Sequence, residues 1–316
     1  MLYERYGTPE VLHLGEVEKP EVGDRDVLIK VHAASVNRSD WEGLIGKPLY
    51  ARMGGLRRPR GHILGTDVAG TVEVVGNAVE SVKPGDEVFG DIMYHGGSAF
   101  AEYVKVPDKA HIVSKPPGIT FAQAATLPQA AVIALQGMAR AVKPGNRVLI
   151  NGAGGGTGAF AIQMAKQAGA EVTGVDNGHK QDFMRSVGAD HTIDYTKSDY
   201  TRTGPYDLIL DLVCQRSIFA IRRALTRGGR YAVVGGPVRS LLAALIVGRI
   251  LSTGGRKMGV LMVRPNKEDL VRVADMVVNG ELRTTIERTY PLEAVPEALR
   301  HVGEGRALGK LVIEIA

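Results

Sequence analysis

The sequence predicts an α/β chain in which a doubly wound parallel sheet is joined to a small barrel-like all-β unit. Three observations lead there. Between about residues 148 and 263, apolar strand-like runs alternate with helical patterns. Before residue 118, short β-like runs are punctuated by glycine and proline instead. Where one strand meets one helix stands Arg147-Val-Leu-Ile-Asn-Gly-Ala-Gly-Gly-Gly-Thr-Gly158. Glycine has no Cβ, so such a turn bends sharply and lets backbone N–H groups approach a pyrophosphate at the positive end of the next helix. A glycine run alone is more often a plain loop, and it is the strand–helix setting that points to a dinucleotide.

With 316 residues, 44% apolar and 23% charged, the chain can bury a large core and is expected to form two domains. The net charge of +5 suits an anionic ligand, yet the basic residues are mostly scattered. Arg52, Arg57, Arg58 and Arg60 make the one cluster of note, and nucleic acid is not an expected partner. Cys214 is the only cysteine, so an intramolecular disulfide and the thiolate-rich zinc sites are excluded. No secretory pattern opens the chain and no apolar run approaches the ~18 residues of a membrane span, so a cytoplasmic location is expected. The greasiest segment, Leu241–Leu251, is too short to span and carries Arg249; it reads as core, cofactor lid or subunit contact.

In chain order, strands are expected at Val27–Ala34, Val68–Val75, Asp86–Phe89 and Ala99–Val104. From Thr120 to Met138 the pattern is alanine-rich and helical with a break at Pro128, which places a domain boundary near residue 118. Strand Val148–Asn151, a helix from Ala159 to Ala168, strand Glu171–Asp176, a helix to Val187 and strands His191–Asp194 and Leu208–Asp211 follow. A helix near Ile218–Leu225, strand Tyr231–Gly235 and a possible strand Gly259–Val263 close this part. Beyond Pro265, helices at Lys267–Val278 and Ala294–Val302 and strands at Ile286–Tyr290 and Leu311–Ile315 end the chain, the last strand being able to rejoin the first unit. The domains are therefore 1–118, 119–260 and a return at 261–316.

The turn aligns as Ala153-x-Gly155-x-x-Gly158, with Gly152, Gly156 and Thr157 contributing to it, and Asp176 lies 18 residues past Gly158 at the end of the next strand. A carboxylate there accepts hydrogen bonds from the adenosine ribose and repels a 2′-phosphate, which leans toward NADH. Asn177 and Lys180 follow at once, and Lys180 could neutralise that phosphate, which keeps NADPH open.

Further motifs carry a resemblance. Ala34-Ser-Val-Asn-Arg-Ser-Asp40, Leu64-Gly-Thr-Asp-Val-Ala-Gly70 with its continuation to Gly76, Lys83-Pro-Gly-Asp-Glu-Val-Phe-Gly90, Ala99-Phe-Ala-Glu-Tyr-Val104, Arg185-Ser-Val-Gly-Ala-Asp190 and Gly305-Arg-Ala-Leu-Gly-Lys-Leu-Val312 join the glycine turn. Together they resemble the zinc-independent quinone oxidoreductase branch of the medium-chain dehydrogenase/reductases, over essentially the whole chain. The resemblance implies a Rossmann doubly wound parallel sheet inserted into a GroES-like β-barrel catalytic domain built from both chain ends, with the active site between them. Zinc-dependent relatives place a cysteine where Asn37 stands and Gly-His-Glu where this chain has Gly65-Thr66-Asp67. A metal-free NAD(P)H-dependent reductase of a small-molecule quinone or α,β-unsaturated carbonyl follows, as does a homo-oligomer.

By matching the family motifs, Asn37 and Asp40 are pocket candidates, Asn37 as an amide donor and Asp40 as an orienting acid. Tyr50, in the expected flap Gly46–Gly55, is the expected proton donor, with His95 as the other choice, and Trp41 either stacks on a flat substrate or packs in the core. On the cofactor side the matching positions are Thr126, Gln129, Val213, Gly235, Gly236, Leu261, Met262 and Lys310. Two other readings remain open: an enoyl reductase acting on carrier-bound acyl chains, and a dinucleotide-binding sensor or nucleic-acid-binding protein without turnover.

Overall fold

The computed structural model describes residues 1–53, 55–138 and 142–315. Gly54, inside the expected flap, lies outside them. Chain order begins with β1 (Asp26–Val36) and α1 (Arg38–Ile45), then β2 (Asp67–Val75), β3 (Glu87–Asp91), β4 (Tyr103–Pro107) and β5 (His111–Ser114). Helices α2 (Phe121–Ala125) and α3 (Ala130–Met138) flank Pro128, whose missing N–H and fixed φ break the alanine-rich run. β4 starts four residues later than the sequence suggests, because Ala99 and Phe100 are drawn into loop bonds with Gly65 and Leu64. β5 was not expected; four residues between turns carry too short a pattern to register.

Next come β6 (Arg147–Asn151), α4 (Gly156–Gln167), β7 (Glu171–Asp176), α5 (Gln181–Ser186), β8 (His191–Asp194), β9 (Tyr206–Asp211), α6 (Ile218–Arg223) and β10 (Leu225–Val233). α7 (Val238–Leu242) runs through a π-helical turn (Ala243–Val247) into α8 (Gly248–Leu251), and β11 (Lys257–Val260) follows. The chain ends with α9 (Lys267–Val278), β12 (Ile286–Pro291), α10 (Val295–Gly303) and β13 (Lys310–Glu314).

Two compact units result, Met1–Val132 with Pro265–Ala316, and Ile133–Arg264. Their junctions fall inside α3 and at Pro265, whereas the change of sequence pattern falls near residues 118 and 260. The first unit holds a seven-stranded sheet in the order β12-β13-β1-β2-β3-β5, with β4 also on β1. All its pairings are antiparallel except β12 with β13. Inward-facing Val27, Ile29, Val31, Val68, Val72, Val88 and Ile313 build its core with Phe100 and Leu299. Trp41 packs on α10, where a Cβ at Gly303 would come within 2.4 Å of its ring; of the two roles expected for it, the structure gives packing.

The second unit holds a wholly parallel six-stranded sheet in the order β11-β10-β9-β6-β7-β8. From β6 the chain runs first outward through β7 and β8, then to β9 on the other side, so the direction reverses between β6 and β9. That reversal leaves a crevice at the carboxyl ends of the strands. The Leu241–Leu251 segment is helical: Ala244 sits in the core with Leu241 and Leu251 packed against it, while Leu242, Leu245, Ile246 and Ile250 are exposed.

Candidate active site and dinucleotide-binding turn

At the carboxyl end of β6, Gly152 adopts φ +86°, a conformation L side chains avoid, and its N–H bonds Val175 O at 2.9 Å. Ala153, fully buried, also donates to Val175 O. Gly155 caps α4, whose first N–H groups at Gly156, Thr157 and Gly158 have no partner one turn back. A Cβ at Gly158 would sit 2.4 Å from Gly152 O and 2.5 Å from Ala153 Cα, so only glycine lets the helix close on the turn. The donor set, free N–H groups at a 12-residue helix's positive end, fits a pyrophosphate.

Asp176 ends β7 with its carboxylate held: Oδ2 accepts from Gly154 N at 2.9 Å and Oδ1 from Asn177 N at 2.8 Å. Lys180, only 4% exposed, brings Nζ to 3.6 Å from Asp176 Oδ1. The acid and the cation that argue for different cofactors are thus bound to each other. Around the same strand ends lie Val213, Gly235 (φ +69°), Gly236 and the chain after β11 at Leu261 and Met262, the last 71% exposed. Asp211, wholly buried, accepts from Asn151 Nδ2, Tyr231 OH and the N–H groups of Val213 and Cys214, tying β6, β9 and β10 together. Cys214 is buried beside Tyr231, and burial pushes its thiol up, so it stays an unreactive thiol.

The first unit concentrates a different set. Asn37 joins β1 to α1, and its backbone N–H donates to Asp40 Oδ2 at 2.7 Å, reproducing one half of a capping box. Its side chain is bonded at both ends: Nδ2 donates to Asp67 Oδ2 at 2.8 Å and at 3.5 Å to Thr66 Oγ1, and Oδ1 accepts from Lys310 Nζ at 2.6 Å. Asp67 opens β2 and also accepts from Ser35 Oγ at 2.7 Å and Gln129 N at 3.2 Å, with Lys310 Nζ at 3.6 Å. Gln129 Nε2 donates to Thr66 Oγ1 at 2.8 Å, while its Oε1 accepts from Ser39. Thr66 Oγ1 in turn lies 3.3 Å from Asp40 Oδ1. Thr66 and Gln129 are the half-buried members; Asp40, Asp67 and Lys310 are almost wholly enclosed.

Enclosure sets the electrostatics. Burial pushes the Asp40 carboxyl up to about 7 against the Asn37 N–H, and the charge of Asp67 adds to the push. Asp91 is likewise raised to about 7, first by burial and then by Asp67. Burial pushes Asp67 up and Lys310 down, the attraction between them opposing both.

The other sequence candidates lie apart from this network. Tyr50 stands on a short 3-10 turn and donates to Glu42 Oε2 at 3.2 Å. His95 faces His111 with ring centroids 5.8 Å apart, and burial, with His111 and Lys109, holds its imidazole below the ordinary range, so it is neutral near pH 7. Thr126 donates to Gln123 O at the end of α2. Lys310, expected on the cofactor side, stands with Asn37 and Asp67 in the first unit, because β13 pairs with β1. Ser35, Thr66, Asp67 and Asp91 were not singled out as site residues; Thr66 and Asp67 had registered only as absent zinc ligands, although the run Gly-Thr-Asp beside Asn37 was the available signal.

Relatives now bear on the site. The family described as alcohol dehydrogenase GroES-like domain matches residues 23–117, and that described as zinc-binding dehydrogenase matches 187–313. A 2-methylene-furan-3-one reductase of Solanum lycopersicum is 32% identical, covering 98% of this chain and 77% of its own. An NAD(P)H oxidoreductase, RTN4IP1, mitochondrial, of Bos taurus is 32% identical over 99% of this chain and 88% of its own. The solved quinone oxidoreductase from Coxiella burnetii superposes with a TM-score of 0.89 at 31% identity, covering 100% of this chain and 98% of that one. The chain belongs to the quinone oxidoreductase branch of the medium-chain dehydrogenase/reductases.

It is therefore an NAD(P)H-dependent oxidoreductase of that superfamily, and the first unit is its GroES-like domain, the second its Rossmann domain. The match whose description mentions zinc spans residues 187–313, and the residues that the sequence resemblance sets against zinc ligands, in the first unit, do not suit the metal. Asn37 and Thr66 are poor zinc ligands, and Asp67 is already bonded to three donors with an ammonium beside it. Among the described residues no group of three or more His, Cys, Asp or Glu is placed to hold a metal. Nor is any described helix long and apolar enough to cross a membrane. The bovine relative carries a mitochondrial name, which lends nothing to the cytoplasmic expectation.

Proposed function

We propose that this oxidoreductase reduces quinones or α,β-unsaturated carbonyls, without a metal. The observation that carries the reading is the Asn37–Asp67–Lys310 set: Asn37 and Asp67 stand where the resemblance puts zinc ligands in the zinc-dependent relatives, and here the carboxylate of Asp67 is paired with the Lys310 ammonium and bonded by the Asn37 amide. Without a Lewis acid, the acceptor must be electrophilic already.

A bound reduced nicotinamide supplies the hydride. The turn from Gly152 to Gly158 would hold the pyrophosphate through backbone N–H groups, and Asp176, at the end of β7, would accept from the adenosine ribose. Asn37, whose amide is bonded to Asp67 at one end and Lys310 at the other, positions Asp67 and α1. The proton path we assign starts at the Asp40 carboxyl, protonated below about pH 7: the 3.3 Å bond in which Thr66 Oγ1 donates to the ionised Asp40 Oδ1 reverses on protonation, Asp40 donating to Thr66 Oγ1, and the freed Thr66 hydroxyl proton passes to the reduced acceptor's oxygen. Tyr50 is committed to Glu42 and His95 is neutral, so Asp40 replaces both as the donor.

Anaerobic mixing with NADH or NADPH and a panel of quinones and enones, followed at the nicotinamide absorbance, tests this. Turnover with at least one class is expected; tight dinucleotide binding with no oxidation by any acceptor would leave a sensor. A preference for carrier-bound acyl chains would give the enoyl reductase reading the advantage. For cofactor choice, Asp176→Ser should raise the NADPH/NADH efficiency ratio, since it removes the repelling carboxylate and frees Lys180; an unchanged ratio removes Asp176 from the ribose. A homo-oligomer accompanies the family reading, and sedimentation of the pure protein measures it.

A further inference from the structure

From Gly43 to Thr66 the chain carries five lysines and arginines and no aspartate or glutamate. The flap in this stretch follows α1 directly and is held at several points. Arg52 spends its guanidinium inside it, donating from Nε to Gly46 O at 2.9 Å and from Nη1 to Leu56 O at 3.2 Å, and lies over the Tyr6 ring. Tyr6 OH donates to Gly55 O at 2.5 Å, and Gly55, at φ +151°, sits so close to Arg58 that a Cβ would come within 2.1 Å of its carbonyl oxygen. Pro59 is buried, and Tyr50 ties the flap to Glu42 of α1. Arg57, Arg58 and Arg60 flank that proline and are exposed, and none of their guanidinium groups has an ion-pair or hydrogen-bond partner among the described residues. In the same flap Leu49, Met53 and Leu56 are 66%, 85% and 71% exposed. Beyond Arg60 the chain passes Gly61, where a Cβ would lie 3.8 Å from Gly96 O, and then reaches Thr66 of the polar network.

We infer that Arg57, Arg58 and Arg60 bind an anionic group, a carboxylate or a phosphate, at the far end of the acceptor, whose apolar stem lies along Leu49, Met53 and Leu56. The inference rests on the reductase reading and deepens it: the acceptor is an amphiphile with an electrophilic head, an aliphatic stem and an anionic terminus. Three like charges within four residues repel one another, and the fold sets no described acid against them, so they add nothing to stability as they stand. A guanidinium is a planar fork of donors that meets a carboxylate or a phosphate two bonds at a time. Arg52 is spent on the flap itself, which leaves the other three for a ligand. The aliphatic side chains beside them favour a ligand with an apolar part over a free inorganic anion or a nucleic acid, because only such a ligand takes them out of water. The dinucleotide's pyrophosphate is matched by the backbone N–H groups that open α4 in the second unit, so the arginines of the first unit fall to the other substrate.

The test measures rates on medium-chain enones identical but for a terminal methyl, carboxylate or phosphate monoester, with a small neutral quinone as the control for turnover. For the anionic enones kcat/KM should be at least about ten-fold higher than for the methyl compound, through KM, and the advantage should shrink as salt is raised. Whichever of carboxylate and phosphate gains more names the terminus, and either supports the proposal. The pair Arg57→Gln and Arg58→Gln should bring the anionic-to-neutral ratio to within about two-fold of one. The pair Arg57→Glu and Arg58→Glu should push it below one, which the loss of a merely structural role does not do; thermal melting should stay unchanged in both pairs. As a readout without turnover, calorimetric titration with a saturated ketone bearing the same carboxylate should weaken by about ten-fold in the glutamine pair. Equal rates on neutral and anionic enones overturn the proposal and leave the reductase reading standing. A preference that the glutamine pair leaves intact overturns it as well, as does a rise in the KM for NADPH alone, which assigns the cluster to the dinucleotide. If neither the quinone nor any enone is reduced, the reductase reading falls and this proposal with it.

Discussion

At the scale of single residues, Asp40 is the group whose chemistry the surroundings change most usefully. Its carboxyl is raised from 3.8 to about 7, mainly by burial. A raised folded value means the native state prefers the protonated acid: Asp40's contribution to stability is complete below about pH 4 and is lost as pH rises through about 7. Asp91, raised likewise, acts in the same direction. Asp40→Asn keeps an acceptor for the Asn37 N–H, so it should lessen the fall in melting temperature between those pH values. If Asp40 is the proton source, the same variant should also remove the decline of kcat above about pH 7. A wild-type pH profile with no inflection near 7 excludes Asp40 as that source. Lys310 offers a second check. Lys310→Met leaves Asp67 charged and buried with its cation gone, at a cost of about 3–5 kcal/mol in denaturant unfolding. Adding Asp67→Asn should return a large part of that loss; no recovery would mean the pair's energies are not coupled.

At the scale of elements, the glycine turn is where β6, β7 and α4 must nearly touch. Gly158→Ala puts a methyl 2.4 Å from Gly152 O, so α4 has to back away. Overpacking of this kind costs about 1–3 kcal/mol, and the displaced N–H groups should weaken dinucleotide binding at least about ten-fold. At Gly155 a Cβ would meet only Gly152 O, at 3.6 Å, so Gly155→Ala should leave the melting temperature alone. Calorimetric titration with NADPH and thermal melting of both variants separate packing from binding. Element types along the chain were legible because the signal is local: strand alternation in β1 and β2 and the break at Pro128 need no partner to be read. β5 and the late start of β4 were not, since their bounds depend on β3, β1 and the loop bonds of Ala99 and Phe100.

Taking the molecule whole, a ligand that binds only the native state must raise its stability. NADPH at about 100 times its Kd should add about 2.7 kcal/mol, visible as a higher melting temperature. Gly158→Ala should lose that shift at the same concentration. Elemental analysis of active protein bears on the metal-free proposal: stoichiometric zinc required for turnover would overturn it, and undiminished turnover after chelation is expected.

By itself the sequence determined the two kinds of secondary-structure pattern, the glycine turn with its following acid, the absence of thiolate zinc ligands and, through its motifs, the family. These are matters of residue type and short spacing, which act within one strand, turn or helix. Only the tertiary structure decided what the polar residues do. Lys310 reaches Asn37 across 273 positions because β13 pairs with β1, so a residue named for the cofactor side is also the counter-ion of Asp67. Tyr50 and His95 are donor candidates by type; the fold adds that Tyr50 is bonded to Glu42, that burial holds the His95 imidazole low and that burial makes Asp40 an acid near neutrality. Charge and burial act through space, and only the fold supplies the distances over which they act.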